Sequence, residues 1–320
     1  MLAAGLFFAA WPVALLAFAF PLAAFLALFT RGPRRVAAGL LAVAVPALLG
    51  LGVPEYRFFV AGAVLTTAAL GVALRATRRV GYGEASVCAL AGLALAALAW
   101  GGLDPGFFGR LRDGLEAAAL TQGRAWTEWL TRAGGDAQTR LLVEQAVETS
   151  AVWSARSWPA AFFLALWTGS AAGLALAAHR ARAAGGAAKR VAVGERCARF
   201  RLPDAWLWAL LTGVAAYLLT PQAAGTPPAA GAAAVAHEAA LNLALVAAGL
   251  YAWQGLAVTL YFLERRGIRA AGRVFFLASG LVLLTLPVLV LALGLGLADA
   301  WLDLRARGRK GTPAPPEDAA

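Results

Sequence analysis

A chain of 320 residues that is 61% hydrophobic and 14% charged, with a mean hydropathy of +0.70, is far more apolar than a soluble domain, where the apolar share is about 45–50%. Its net charge of +11 would suggest nucleic acid as a partner in a soluble protein. Here the arginines sit in short stretches between apolar segments, where the Lys/Arg bias of cytoplasmic loops accounts for them, so no nucleic acid is expected.

The apolar segments give the plan. A helix needs roughly 20 residues to cross a hydrocarbon core of about 30 Å. Leu2 to Phe29 opens the chain, with Pro21 as a place where it can divide into a span and a half-membrane piece. Val36 to Val53 and Phe58 to Leu74 follow, joined by a turn at Pro54-Glu55-Tyr56-Arg57, and then Ala85 to Leu103.

Between Asp104 and Ser157 the composition becomes mixed. Phe107, Phe108, Leu111, Leu115, Trp126, Trp129 and Leu130 fall near the spacing of an amphipathic helix. Gly134-Gly135 break it, and Asp136 suits the N-cap of a second helix. The stretch 104–157 is therefore expected to be an extracytoplasmic insert of surface helices, with Trp153 and Trp158 marking the return to the bilayer.

Ala160 to Ala178 is the fifth segment, followed by a basic cytoplasmic loop at 179–203. Leu202-Pro203-Asp204 starts a helix over Ala205 to Leu219, with Asp204 facing the positive end of its dipole. Two long segments, 239–262 and 274–298, flank a basic turn holding Arg265, Arg266, Arg269 and Arg273. Pro287 leaves open whether the last is one crossing or a re-entrant pair, and 306–320 is expected to be a disordered tail. The expected fold is all-α: a polytopic helical membrane protein of about eight membrane segments, one transmembrane domain over 1–305. Loops 31–35, 75–84, 179–201 and 264–273 carry the basic residues and are assigned to the cytoplasm.

Polar groups inside spans point to function, because each is costly unless paired or facing a cavity. Glu238 and Asn242 share a helix face with Trp253, whereas Gln254 lies about 160° from Glu238 and groups with Tyr261. Two readings stay open for Glu238, Asn242 and Trp253: the border of a binding pocket, or helix-to-helix hydrogen bonding with an interfacial Glu. His237-Glu238 begins like a zinc-protease motif, but Leu241 stands where the second His is needed. Two histidines and two cysteines, Cys88 and Cys197, give no metal-ligand set, so no metal, cofactor or enzymatic activity is expected. In the terminal run, Asp299 and Asp303 are four apart, Trp301 suits the headgroup level, and Arg305 can pair internally or reach back to another loop. An ion pair that pins the end of the last span is one role for this run, and contact with a partner subunit is the other.

The chain resembles the YybS-like family of bacterial multi-pass membrane proteins, whose function is not established. The matching pieces are Arg201-Leu-Pro203-Asp204-Ala-Trp206, Asn242, Gln254-Gly-Leu-Ala-Val258, Tyr261-Phe262, Arg265-Arg266, Pro287 and Gly296-Leu-Ala-Asp299-Ala-Trp301-Leu-Asp303-Leu-Arg305. The resemblance implies the bacterial cytoplasmic membrane and a fold similar to the S components of energy-coupling-factor transporters. A substrate-capture or transport subunit is then expected, with the lipid bilayer and a coupling membrane protein with ATPases as partners. A membrane scaffold or interaction protein is the alternative.

Overall fold

The computed structural model describes residues 54–77, 79–80, 82–134, 136–183, 192–193, 198, 200–220, 232–269, 272–273, 275–276, 279 and 285–310. The segments at 2–29 and 36–53, with Pro21, lie outside the described residues, as do Cys197, most of the loop at 221–236 and residues 311–320. Among the described residues the chain is helical, in eight helices: α1 (Pro54–Thr77), α2 (Tyr82–Leu103), α3 (Phe107–Arg132), α4 (Ala137–Ala183), α5 (Ala205–Leu219), α6 (Ala232–Arg265), α7 (Thr285–Leu302) and α8 (Leu304–Lys310). A two-residue parallel pairing joins β1 (Arg79–Val80) to β2 (Ala192–Val193). Of the helices, α2 and α6 are long and apolar enough to cross a membrane, and shorter apolar stretches occur at Arg57–Leu70, Ala205–Leu219 and Pro287–Leu302.

The local signals explain most boundaries. Pro54 opens α1, so the turn expected at 54–57 is the helix's first turn, where a missing N–H costs nothing. At the end of α3, Gly134 takes φ +80, with its N–H donating to Thr131 O at 3.2 Å, a left-handed cap that suits glycine. Asp136 then caps α4, its Oδ1 accepting from the Thr139 N–H at 2.7 Å and its Oδ2 from the Thr139 hydroxyl at 2.8 Å. These bonds favour the carboxylate and lower the Asp136 pKa. One boundary differs from expectation: the helix begun at Ala137 does not stop at Ser157 but runs on to Ala183, 47 residues in all, with Pro159 inside it.

The chain divides into two compact units, residues 1–194 with 213–246, and residues 195–212 with 247–320. In the first, Phe58 anchors an aromatic core, its ring meeting Phe59 at 5.3 Å, Phe107 and Phe108 at 5.6 Å and Trp158 at 5.6 Å between centroids. Edge-to-face pairs of this kind add attraction beyond their buried area. Trp167, also buried, donates its indole N–H to Tyr82 O at 3.1 Å. Small residues let backbones approach where helices cross: a Cβ on Gly92 of α2 would lie 2.3 Å from Thr66 Oγ1 of α1.

In the second unit α6 and α7 cross backbone to backbone. A Cβ on Gly255 would fall 1.8 Å from Ala292 O, and one on Gly296 would fall 1.9 Å from Tyr251 O. Pro287 lies in the first turn of α7, a position a helix tolerates, and α8 takes up residues 306–310 of the stretch expected to be a tail.

Candidate functional site

Among the described residues, each unit carries a buried or partly buried polar cluster. In the second unit it is built from the end of α7. Asp303 has φ +44, so α7 does not run on through the terminal motif. Asp303 closes α7 through its N–H on Asp299 O at 3.0 Å, and its own carbonyl accepts from the Ala306 and Arg307 N–H groups at 3.0 and 3.1 Å to start α8. Asp is among the few side chains that tolerate this conformation. The turn from Asp299 to Asp303 is thus still closed by a helical bond, and the break in the helix falls at Asp303 itself.

The break at Asp303 permits the ion pair. On a continuous helix, Arg305 would stand about 120° around the axis from Asp299. With the break, Arg305 Nη2 donates to Asp299 Oδ2 at 2.6 Å and Nε to Oδ1 at 3.3 Å, a two-pronged contact. The side chains are 9% and 1% exposed. Arg305 Nη1 also donates to Ala198 O at 3.2 Å and Phe200 O at 2.9 Å. Gln254 completes the cluster: Nε2 donates to Asp299 Oδ2 at 3.1 Å and Gly296 O at 3.2 Å, and Oε1 accepts from the Leu202 N–H at 2.9 Å. Tyr261 donates its hydroxyl to Arg305 O at 3.3 Å.

Of the other residues singled out in sequence, Asp303 reaches Arg201 at 3.6 Å, in a solvent-exposed pair. Trp301 points outward, 72% exposed. Asp204 is exposed at the start of α5, where its carbonyl accepts from the Leu207 N–H at 3.0 Å. Gln254 and Tyr261 were legible as polar or aromatic groups on one face of α6, but their partners are 42 to 52 residues away in sequence for Gln254 and 44 for Tyr261.

The first unit's cluster lies along the start of α6. Glu238 Oε1 accepts from Arg112 Nη1 of α3 at 2.7 Å, with the two side chains 33% and 31% exposed. One turn along, Asn242 meets the proline-bearing stretch of α4. Its Oδ1 accepts from the Ala160 N–H at 3.0 Å, and its Nδ2 donates to Arg156 O at 2.9 Å and to Glu238 O at 2.8 Å. In a regular helix the Ala160 N–H and the Arg156 carbonyl serve each other. Pro159 between them disturbs that ladder, and a side chain entering it is a recognised cause of a helix bend. His237 lies beside these groups, its ring stacked on Tyr217 at 4.4 Å and Nδ1 2.9 Å from Thr220 Oγ1.

The structure therefore brings Glu238 and Asn242 together on one side of α6. Trp253 is half-buried further along the same helix, within the second unit. Arg112 was missed as the partner of Glu238, since 126 residues separate them. Among the described residues no group of three or more His, Cys, Asp or Glu could hold a metal ion.

A family model described as "Predicted membrane protein (DUF2232)" matches residues 1–300 of the chain. No curated protein and no solved structure matches it.

Proposed function

The chain belongs to the DUF2232 family of predicted membrane proteins, and from that premise we propose that it is a multi-pass integral protein of the bacterial cytoplasmic membrane that works as a non-enzymatic substrate-capture or transport subunit. Helices α2, of 22 residues, and α6, of 34, are long enough for spans of roughly 20 residues. The observation that carries the reading is the Arg112–Glu238 pair. It is a charged contact at the entry to an apolar helix, one-third open to solvent, and it lies one turn from an asparagine that bridges a proline-bearing partner helix. Polar side chains that serve the backbone of a proline-bearing span are the kind of group from which transporter sites are built. A ligand with a charged end would compete for one member of the pair and so act on α3, which belongs to the insert. The likeness of 201–206 and 254–305 to the YybS-like family, and through it to the S components of energy-coupling-factor transporters, supports the same reading by analogy.

Gentle purification of the full chain from native membranes, with mass spectrometry of everything retained in near-equal amounts, tests this. A coupling membrane protein with an ATPase pair, or a retained small molecule, is the expected result. Recovery of lipid and unrelated proteins alone would overturn it and favour the second reading, a membrane scaffold. That reading draws on Trp301 and Leu302, which stand exposed beside the buried Asp299–Arg305 pair as a ready contact surface.

A further inference from the structure

We propose that Arg156 is the anchor of an oxyanion-binding site, taking a phosphate or carboxylate group, beside Pro159 of α4. Among the described residues, three shielded or partly shielded arginines have carboxylate partners: Arg112 holds Glu238 at 2.7 Å, Arg273 holds Glu264 at 3.4 Å, and Arg305 holds Asp299 at 2.6 Å. Arg156 is also partly shielded, yet among the described residues its guanidinium has no carboxylate, carbonyl or aromatic partner, and its Nε is shut off from solvent without a hydrogen bond. A buried donor of that kind is rare in a folded protein and is expected to have a partner.

The surroundings narrow the partner to an anion. Asn242, which bonds the Arg156 carbonyl, already uses its oxygen on Ala160 N–H and both amide protons on Arg156 O and Glu238 O. The Glu238 carboxylate is held by Arg112. Among the described residues no carboxylate pairs with Arg156, whereas a guanidinium matches a carboxylate or phosphate with two parallel hydrogen bonds. Trp153 and Trp158 flank it in α4, the side chains favoured at the headgroup boundary. The oxyanion can therefore come from a lipid headgroup or from a soluble molecule. The site does not depend on the transport reading.

The test uses the full-length protein in nanodiscs. One arm compares thermal unfolding in phosphatidylcholine discs with discs containing phosphatidylglycerol, in a phosphate-free buffer. The other keeps phosphatidylcholine discs and adds inorganic phosphate or citrate. Stabilisation in the first arm identifies a lipid headgroup, and in the second a soluble oxyanion. In either case Arg156→Gln is expected to weaken the effect by about tenfold or more in midpoint concentration, the loss of one charge-assisted contact. Arg156→Lys, which keeps the charge and so guards against misfolding of the neutral variant, is expected to retain part of it. No stabilisation by any of these anions, or equal stabilisation of wild type and both variants, would overturn the proposal.

Discussion

The two polar clusters differ in how completely they are satisfied. Around Asp299 and Arg305 each charge is buried, and the carboxylate and guanidinium hold each other while Gln254 and the backbone at 198, 200 and 202 supply further bonds. Around Glu238 the ion pair is a third open to solvent, the backbone is bridged at a proline, and Arg156 keeps an orphan donor. A buried, fully used pair holds a structure in place; a partly open one leaves charge for a ligand. The first cluster is thus read as a clamp that fixes the end of α7 against residues 198, 200 and 202, and the second as the proposed binding site.

The sharpest way to break this contrast is Asp299→Ala. Removing one partner of a buried pair leaves an uncompensated charge and is expected to cost about 3–5 kcal/mol, read as a large drop in the unfolding midpoint in detergent. Combining it with Arg305→Met should recover much of that loss, because replacing both members by apolar groups is far less damaging. A loss that does not recover would mean the pair is not the clamp. Gly296→Ala comes next: the added Cβ meets Tyr251 O, 1.9 Å away, so α6 and α7 must part, at about 1–3 kcal/mol.

Within the first unit, Asn242→Leu strips partners from Ala160 N–H and Arg156 O, at about 1–3 kcal/mol. Hydrogen exchange at the Ala160 amide should accelerate more than at amides elsewhere in α4; uniform acceleration would argue against a local bridge. The smallest effect is expected at Asp136. Its pKa is lowered in the folded chain, so its contribution to stability is present above the unfolded carboxylate value, about 3.9, and fades as pH falls through the lowered folded value. Asp136→Ala should therefore narrow its gap to wild type only in strong acid, and a constant gap across pH would contradict the role of that carboxylate.

How much of this was legible follows from the range of each interaction. The Gly134 and Asp136 boundary could be read directly, because caps depend on residues within one turn. The pairing of Asp299 with Arg305 was suggested by their composition and closeness, but the helix break at Asp303 was not, since a positive φ at a residue other than glycine carries no periodic signal. Pro159 was passed over between two apparent segments, and the helix runs through it because Asn242 serves the groups on either side. Arg112 and Gln254 find partners many residues away, which no pattern along a single chain reveals.

Accessibility is the property on which the contrast rests. In a chain with Cys88 and Cys197 replaced by alanine, Glu238→Cys and Gln254→Cys can each be exposed to a water-soluble maleimide in mild detergent. The account predicts fast labelling at 238 and almost none at 254, where the side chain it replaces is fully buried. Equal rates at the two positions, or faster labelling at 254, would contradict it.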